Sequence, residues 1–176
     1  MICHCYILEG GIWGVDGIVD STGMVSLANR IKAMFPQIQT ETHYWSSYVT
    51  VENEIKKLFV TDKVILIGYS GGGSRATYVA NDVAYSHKID LIIGYDPSPK
   101  GQMQVMKSNV VRAVTYYNTS ILSRISMLGL GGGQFSGSKS TQFSVHSISQ
   151  QHLAVQFNEA LHQITFQEIK QLIAQK

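Results

Sequence analysis

The chain has 176 residues, 44% of them apolar, enough for one continuous core without staples, so a single domain over residues 1–176 is expected. Its formal charge of +2 is spread without a run of Lys or Arg, which argues against a phosphate-tracking surface and against nucleic acid as a partner. No apolar stretch approaches the roughly 20 residues that span a bilayer, and the start lacks the features of a secretory signal, so stable membrane insertion is not expected and a cytoplasmic or virion-associated setting is.

In chain order, the first expected element is a strand over Cys3 to Leu8. Its Cys3-His4-Cys5 spacing puts both thiols on one face, too far apart for an unstrained disulfide and without a second ligand pair for zinc. Buried small apolar cysteines are expected there, and neither a metal centre nor a cofactor is implied. The glycine-rich Glu9 to Gly14 follows. Met24, Leu27, Ala28, Ile31, Met34 and Phe35 then recur on one helical face, with Ser21 and Thr22 available as caps and Pro36 as terminator. A strand over Gln39 to Tyr44 precedes a second helical face made by Val51, Ile55, Leu58 and Phe59. A third helix begins after Ser70 and runs to about Val83. Further strands are expected at Lys63 to Ile67, Leu91 to Gly94, Val111 to Tyr117 and Gln142 to Ser147. This alternation is the signature of a parallel sheet covered on both faces, an α/β fold in three layers with about six parallel strands.

Leu130 to Ser140 is rich in Gly and Ser and contains Phe135, so a mobile loop is expected, either a linker or a flap over the site. At the C-terminus the apolar face from Leu153 to Ile164 falls out of phase with Ile169, Leu172 and Ile173. Thr165 followed by Glu168 reads as a capping box at that break, which predicts two consecutive helices.

The chemistry centres on Gly68-Tyr69-Ser70-Gly71-Gly72, a G-x-S-x-G pattern. Alone the pattern is weak. Here the apolar run Val64 to Ile67 precedes it and a helical pattern follows, and strand, sharp turn and helix is the geometry the motif requires. Such a turn projects the Ser70 hydroxyl above the end of the sheet at a helix N-terminus. The rival reading, a phosphate loop, needs Lys and then Ser or Thr after Gly73, but Ser74-Arg75 stand there. The dinucleotide pattern fails because Ser70 replaces its second glycine.

A serine nucleophile needs a base to take its proton and a carboxylate to orient that base. From Pro97 to Asn158 there is no Asp or Glu, so the carboxylates between Ser70 and the C-terminal histidine His152 reduce to Asp82, Asp90 and Asp96. Asp82 lies inside the helix after the serine, and Asp90 sits at the N-terminal edge of its strand. Asp96 leaves the carboxyl end of the strand next to Ser70, where open α/β sheets bind ligands. Among the histidines, His87 is at the wrong end of the sheet, His146 falls within a strand, and His162 ends a helix as a solvated cation. His152, in the loop after the last strand, is the expected base, with His146 in reserve. The oxyanion donors are expected to be the backbone N–H of Gly71 and that of Ile12 or Gly11. Trp13, Tyr69 and Phe135 are candidate substrate-binding residues.

These residues resemble the small lipase- and esterase-like α/β-hydrolases, which carry a serine nucleophile elbow. The similarity covers nearly the whole chain, through Leu8 to Gly11, Ser21 to Met24 and Leu27-Ala28, the Gly68 to Gly72 elbow, Tyr95-Asp96-Pro97, Tyr116-Tyr117-Asn118 and His152-Leu153. The resemblance implies a minimal form that starts at the usual third strand, with strand order 2-1-3-4-5-6. It also implies a serine hydrolase that cleaves the carboxylic ester of a small-molecule acyl substrate through a Ser70-His152-Asp96 triad. Thioester and amide cleavage fit the same residues. So does a binding module without turnover, with Trp13, Trp45 and Phe135 lining its pocket. Two features depart from the family pattern. Glu9-Gly10 replaces the common His-Gly of the oxyanion loop, and Asn118 ends the strand that more often carries the acid. The placement at Asp96 resembles pancreatic-type lipases, and no long lid insertion is visible.

Overall fold

A computed structural model describes residues 1–11, 21–99, 103–119 and 131–174 of the chain. Six strands form one sheet: β1 (Cys3–Leu8), β2 (Ile38–His43), β3 (Lys63–Tyr69), β4 (Ile89–Tyr95), β5 (Val110–Asn118) and β6 (Gln142–Ile148). Every neighbouring pair is parallel and the order is β2-β1-β3-β4-β5-β6, as the resemblance implied. β3 and β4 are buried almost throughout, which is why they read as continuous apolar runs rather than as an alternation.

The helices are α1 (Thr22–Met34), α2 (Tyr48–Ile55), α3 (Gly71–Asp82), the short α4 (His152–Val155) and α5 (Glu159–Ala174). Alternate strand residues divide the core into two layers. Cys5, Ile7, Ile65, Ile67, Leu91 and Ile93 face Met24, Leu27 and Ile31 of α1 and Leu161, Phe166 and Ile169 of α5. On the other face Leu8, Val64, Leu66 and Ile92 meet Val51 and Ile55 of α2 and Ala76, Val79 and Ala80 of α3. Burying each Leu or Ile of these layers contributes about 1.5–3 kcal/mol against the conformational entropy lost on folding. Cys3 and Cys5 are buried free thiols.

The register sets the site. β3 and β4 pair Tyr69 with Tyr95, so Ser70 and Asp96 leave adjacent strands at the same level. No helix of the described residues is long and apolar enough to cross a membrane.

Two expectations need correction. The C-terminal break falls at residues 156–158 rather than at Thr165, and α5 runs through that position without interruption. Asn158 caps α5 instead: its Oδ1 accepts from the Leu161 N–H at 3.2 Å and its carbonyl from the His162 N–H at 3.0 Å. Thr165 is fully buried, and its hydroxyl is spent on Tyr95 Oη at 2.6 Å, so it caps nothing. The described part of the expected loop, residues 131–140, is tied down rather than free. Met106 and Gly137 form a parallel bridge, the Gly133 N–H donates to the Pro97 carbonyl, and Phe135 enters the core.

Candidate active site

Ser70 joins β3 to α3 with φ 53° and ψ −121°, a conformation that costs a non-glycine residue about 1–3 kcal/mol. The surroundings hold it there. Its N–H donates to the Tyr95 carbonyl at 3.1 Å, and its carbonyl accepts from the Ser98 N–H at 3.0 Å. Glycine at 72 is a matter of close approach, because a Cβ there would strike the carbonyl oxygens of Leu8 and Glu9. The turn therefore presses α3 against the end of β1 and leaves the Ser70 side chain at the carboxyl edge of the sheet.

Asp96 follows β4 with φ 47°. Its backbone N–H donates to the Tyr116 carbonyl at 2.6 Å, and its carboxylate is fully buried yet saturated with donors. Oδ1 accepts from the N–H groups of Asn118 at 2.8 Å and Gly132 at 2.7 Å. Oδ2 lies 2.7 Å from His152 Nδ1. A carboxylate only accepts, so Nδ1 carries the proton and Nε2 is left to accept from the Ser70 hydroxyl, 2.9 Å away.

His152 opens α4 and is nine-tenths buried. The Tyr69 ring stacks on its imidazole at 5.1 Å, and Tyr69 Oη donates to its carbonyl at 3.1 Å. The Asn118 side-chain amide donates to the Gln150 carbonyl, which fixes the loop two residues upstream. Gly131 passes so close that a Cβ there would collide with the Asp96 carboxylate and with His152 Nδ1.

Of the expected oxyanion donors, Gly71 is the first residue of α3, and the N–H groups of a helix's first turn have no partner within the helix. Gly11 passes directly over it: its carbonyl oxygen lies 2.6 Å from the place a Cβ on Gly71 would occupy. Ile12 and Trp13 lie outside the described residues. Trp45 is packed against Gly11, where a Cβ would strike the indole. Arg75 of α3 stacks on Trp45, Tyr48 and Tyr78, its guanidinium 5.4, 4.8 and 4.7 Å from the three rings.

The structure thus brings Ser70, Asp96 and His152 together. It places other candidates differently from the expectation. Tyr69 is fully buried behind the imidazole rather than facing a substrate. Phe135 is a core residue, 4% exposed, and its ring occupies the space that a side chain at position 94 would need. His162 is buried in the first turn of α5 rather than solvated, with Nδ1 accepting from Arg30 at 3.1 Å and Nε2 donating to the Gln156 carbonyl at 2.8 Å. His146 is exposed on β6 and stacks on Tyr116. Asn118, Gly131, Gly132 and Arg75 carry geometry at the site that residue type and spacing did not single out, and Trp45, expected as a pocket aromatic, packs on Gly11 and Arg75. Asn118 alone gave a signal, as a polar residue ending the strand beside the acid.

A cavity of about 410 Å³ opens at the amino-terminal end of the strands, lined by Lys63, Asp90, Arg112 and Glu168 among others. Four of its charges pair, Lys88 with Asp90 at 2.9 Å and Arg112 with Glu168, and no Ser, Cys or His lines it.

No protein-family model matches the chain, and no curated protein matches it in sequence. Solved structures do. The NocB thioesterase domain from the nocardicin cluster is similar over 99% of this chain and 95% of its own, with a TM-score of 0.57 at 10% identity. ClbQ from the colibactin NRPS/PKS pathway is similar over 99% of both chains, with a TM-score of 0.56 at 8% identity. A YdeN-like hydrolase of Pectobacterium atrosepticum is similar over 96% of this chain and 92% of its own, with a TM-score of 0.54 at 14% identity. With the strand order 2-1-3-4-5-6 and helices on both faces, the chain has the α/β-hydrolase fold in a minimal six-stranded form.

Proposed function

We propose that this chain is a serine hydrolase that cleaves a carboxylic ester through an acyl-enzyme intermediate. The observation that carries the proposal is the continuous hydrogen-bonded relay from Ser70 Oγ through the His152 imidazole to the buried Asp96 carboxylate. In this reading His152 Nε2 takes the Ser70 proton as Oγ attacks the substrate carbonyl. The N–H groups of Gly71 and Gly11 receive the oxyanion at the helix start. The imidazolium, held by Asp96, then gives its proton to the leaving alkoxide, and the acyl group stays on Oγ. Water enters, loses a proton to Nε2 and attacks the acyl carbon, and Oγ recovers the proton as the acid departs.

Thioester cleavage is a second reading on the same residues. It is favoured by the likeness to the NocB thioesterase domain, a protein that forms a covalent complex with a fluorophosphonate nocardicin G analogue. In both readings the substrate is a small acyl compound. A matched panel of p-nitrophenyl esters and acyl thioesters of increasing chain length tests them. Turnover by the wild type and none by Ser70→Ala is the expected result, and the ratio of kcat/KM between each pair assigns the bond. Folded wild-type protein inert on both series would overturn the proposal.

A further inference from the structure

The edge strand β2 of the sheet carries a second cluster of reactive side chains. Glu41 and His43 are two residues apart on β2, so both point to the same face. They pair with Tyr6 and Leu8 of β1, whose side chains belong to the layer covered by α2 and α3. The last turn of α2 delivers Glu54 to the same spot. His43 Nε2 lies 3.6 Å from Glu54 Oε2 and 3.7 Å from Glu41 Oε2, and the three ligand atoms all fall within 4.8 Å of one another.

These distances are too long for hydrogen bonds. His43 Nε2 and Glu54 Oε2 are both shut off from solvent without a hydrogen-bond partner. Among the described residues neither Glu41 nor Glu54 forms an ion pair with Lys or Arg, and His43 is the only basic group within pairing distance of either. Two carboxylates converging on one spot repel each other, and burying a polar atom unpaired is costly. The Tyr6 ring, 5.9 Å from that of His43, forms the inner wall. Every one of these costs is relieved by a single cation at the centre.

We propose that Glu41, His43 and Glu54 form a binding site for a divalent transition-metal ion such as Zn²⁺, with the solvent side left to water. One imidazole and two carboxylates is a donor set for a borderline ion rather than for calcium or magnesium. Ligand bonds of about 2.0–2.2 Å to a tetrahedral ion require donor spacings only slightly shorter than those between His43 and its two partners. The most exposed member, Glu41, is free to close the remaining distance. A bound ion would clip the edge strand β2 to α2. The His43 carbonyl, which accepts from the Glu9 N–H at 2.9 Å, connects that clip to the loop leading to Gly11.

The test is calorimetric titration of chelator-treated protein with Zn²⁺, with Co²⁺ absorption as a probe of the donors. One equivalent is expected to bind, raising the unfolding temperature. Glu41→Gln, His43→Gln and Glu54→Gln are each expected to weaken binding by more than about 100-fold, since even groups that merely orient a ligand are worth about 10–100-fold. Far-ultraviolet dichroism checks that each variant is folded, and Glu41→Gln, at an exposed position, serves if the others are not. The Co²⁺ form is expected to show visible bands without thiolate charge transfer. Absence of saturable Zn²⁺ binding by the wild type, binding that survives His43→Gln, or a thiolate band placing the ion on Cys3 and Cys5 would each overturn the site. Because the readout is binding alone, the result is independent of the hydrolase proposal.

Discussion

Replacing Asp96 by Asn is the sharpest perturbation of the relay, because the structure lets the two roles of the carboxylate be separated. Asp96 sits at φ 47°, a left-handed conformation that Asn tolerates and Ala does not, so Asp96→Asn adds no backbone strain. The Asn carbonyl oxygen can still accept from the N–H groups of Asn118 and Gly132, which keeps the turn closed. What changes is the atom 2.7 Å from His152 Nδ1. An amide N–H there faces a ring N–H, and the imidazole relieves the conflict by moving its proton to Nε2. Ser70 then meets a donor where it needs an acceptor. A wrong tautomer of this kind lowers kcat by about 10,000-fold, or about 5.4 kcal/mol of transition-state stabilisation. Exchanging a charge-assisted buried hydrogen bond for a neutral one should cost about 1 kcal/mol of stability. The assay is kcat/KM on the best ester of the panel, with thermal unfolding of the same preparations. A folded variant within tenfold of the wild type would refute the assignment of Asp96 as the orienting acid.

Gly131→Ala puts a methyl group into the Asp96 carboxylate and His152 Nδ1, and a misplacement of about 1 Å is expected to cost on the order of 100-fold in kcat with KM little changed; steady-state kinetics checks it. His146→Ala should leave kcat near the wild-type value, since that ring is exposed and stacks on Tyr116 rather than meeting Ser70; a loss comparable to that of His152→Ala would exchange their roles. Burial holds His162 below its ordinary pKa of 6.5, so the unfolded chain takes up this proton at higher pH than the folded one. Stability from this group is therefore lost as pH falls through about 6.5 toward the depressed folded value. The urea midpoint of the wild type should drop between pH 7.5 and 5.5, and His162→Gln should reduce the drop; an undiminished drop would assign the pH dependence to other groups.

The parts of the fold that rest on local pattern were legible in the sequence. Val64 to Ile67 and Leu91 to Ile93 are apolar at every position because both faces of their strands are covered. The absence of carboxylates from Pro97 to Asn158 left Asp96 as the choice beside Ser70, and the two meet at one level because Tyr69 pairs with Tyr95. What was not legible depends on partners distant in sequence. His162 is buried because Arg30 of α1 and the Gln156 carbonyl close over it, and a helical position alone reads as solvated. Thr165 and Glu168 match a capping box, yet their side chains are spent on Tyr95 and Arg112, in strands far upstream. Phe135 lies in a Gly-rich stretch that looks mobile, but the space above Gly94 draws it into the core. The contact of Trp45 with Gly11 joins the turn before α2 to the loop after β1, and no periodicity within either segment announces it.

The central claim is that Ser70 is an activated nucleophile. The most direct measurement is intact-protein mass after incubation with a fluorophosphonate, followed by peptide mapping. One phosphonyl group on Ser70 of the wild type, none on Ser70→Ala and strongly slowed labelling of His152→Ala is the predicted result. Folded wild-type protein that stays unlabelled, or that labels at another residue, would contradict it.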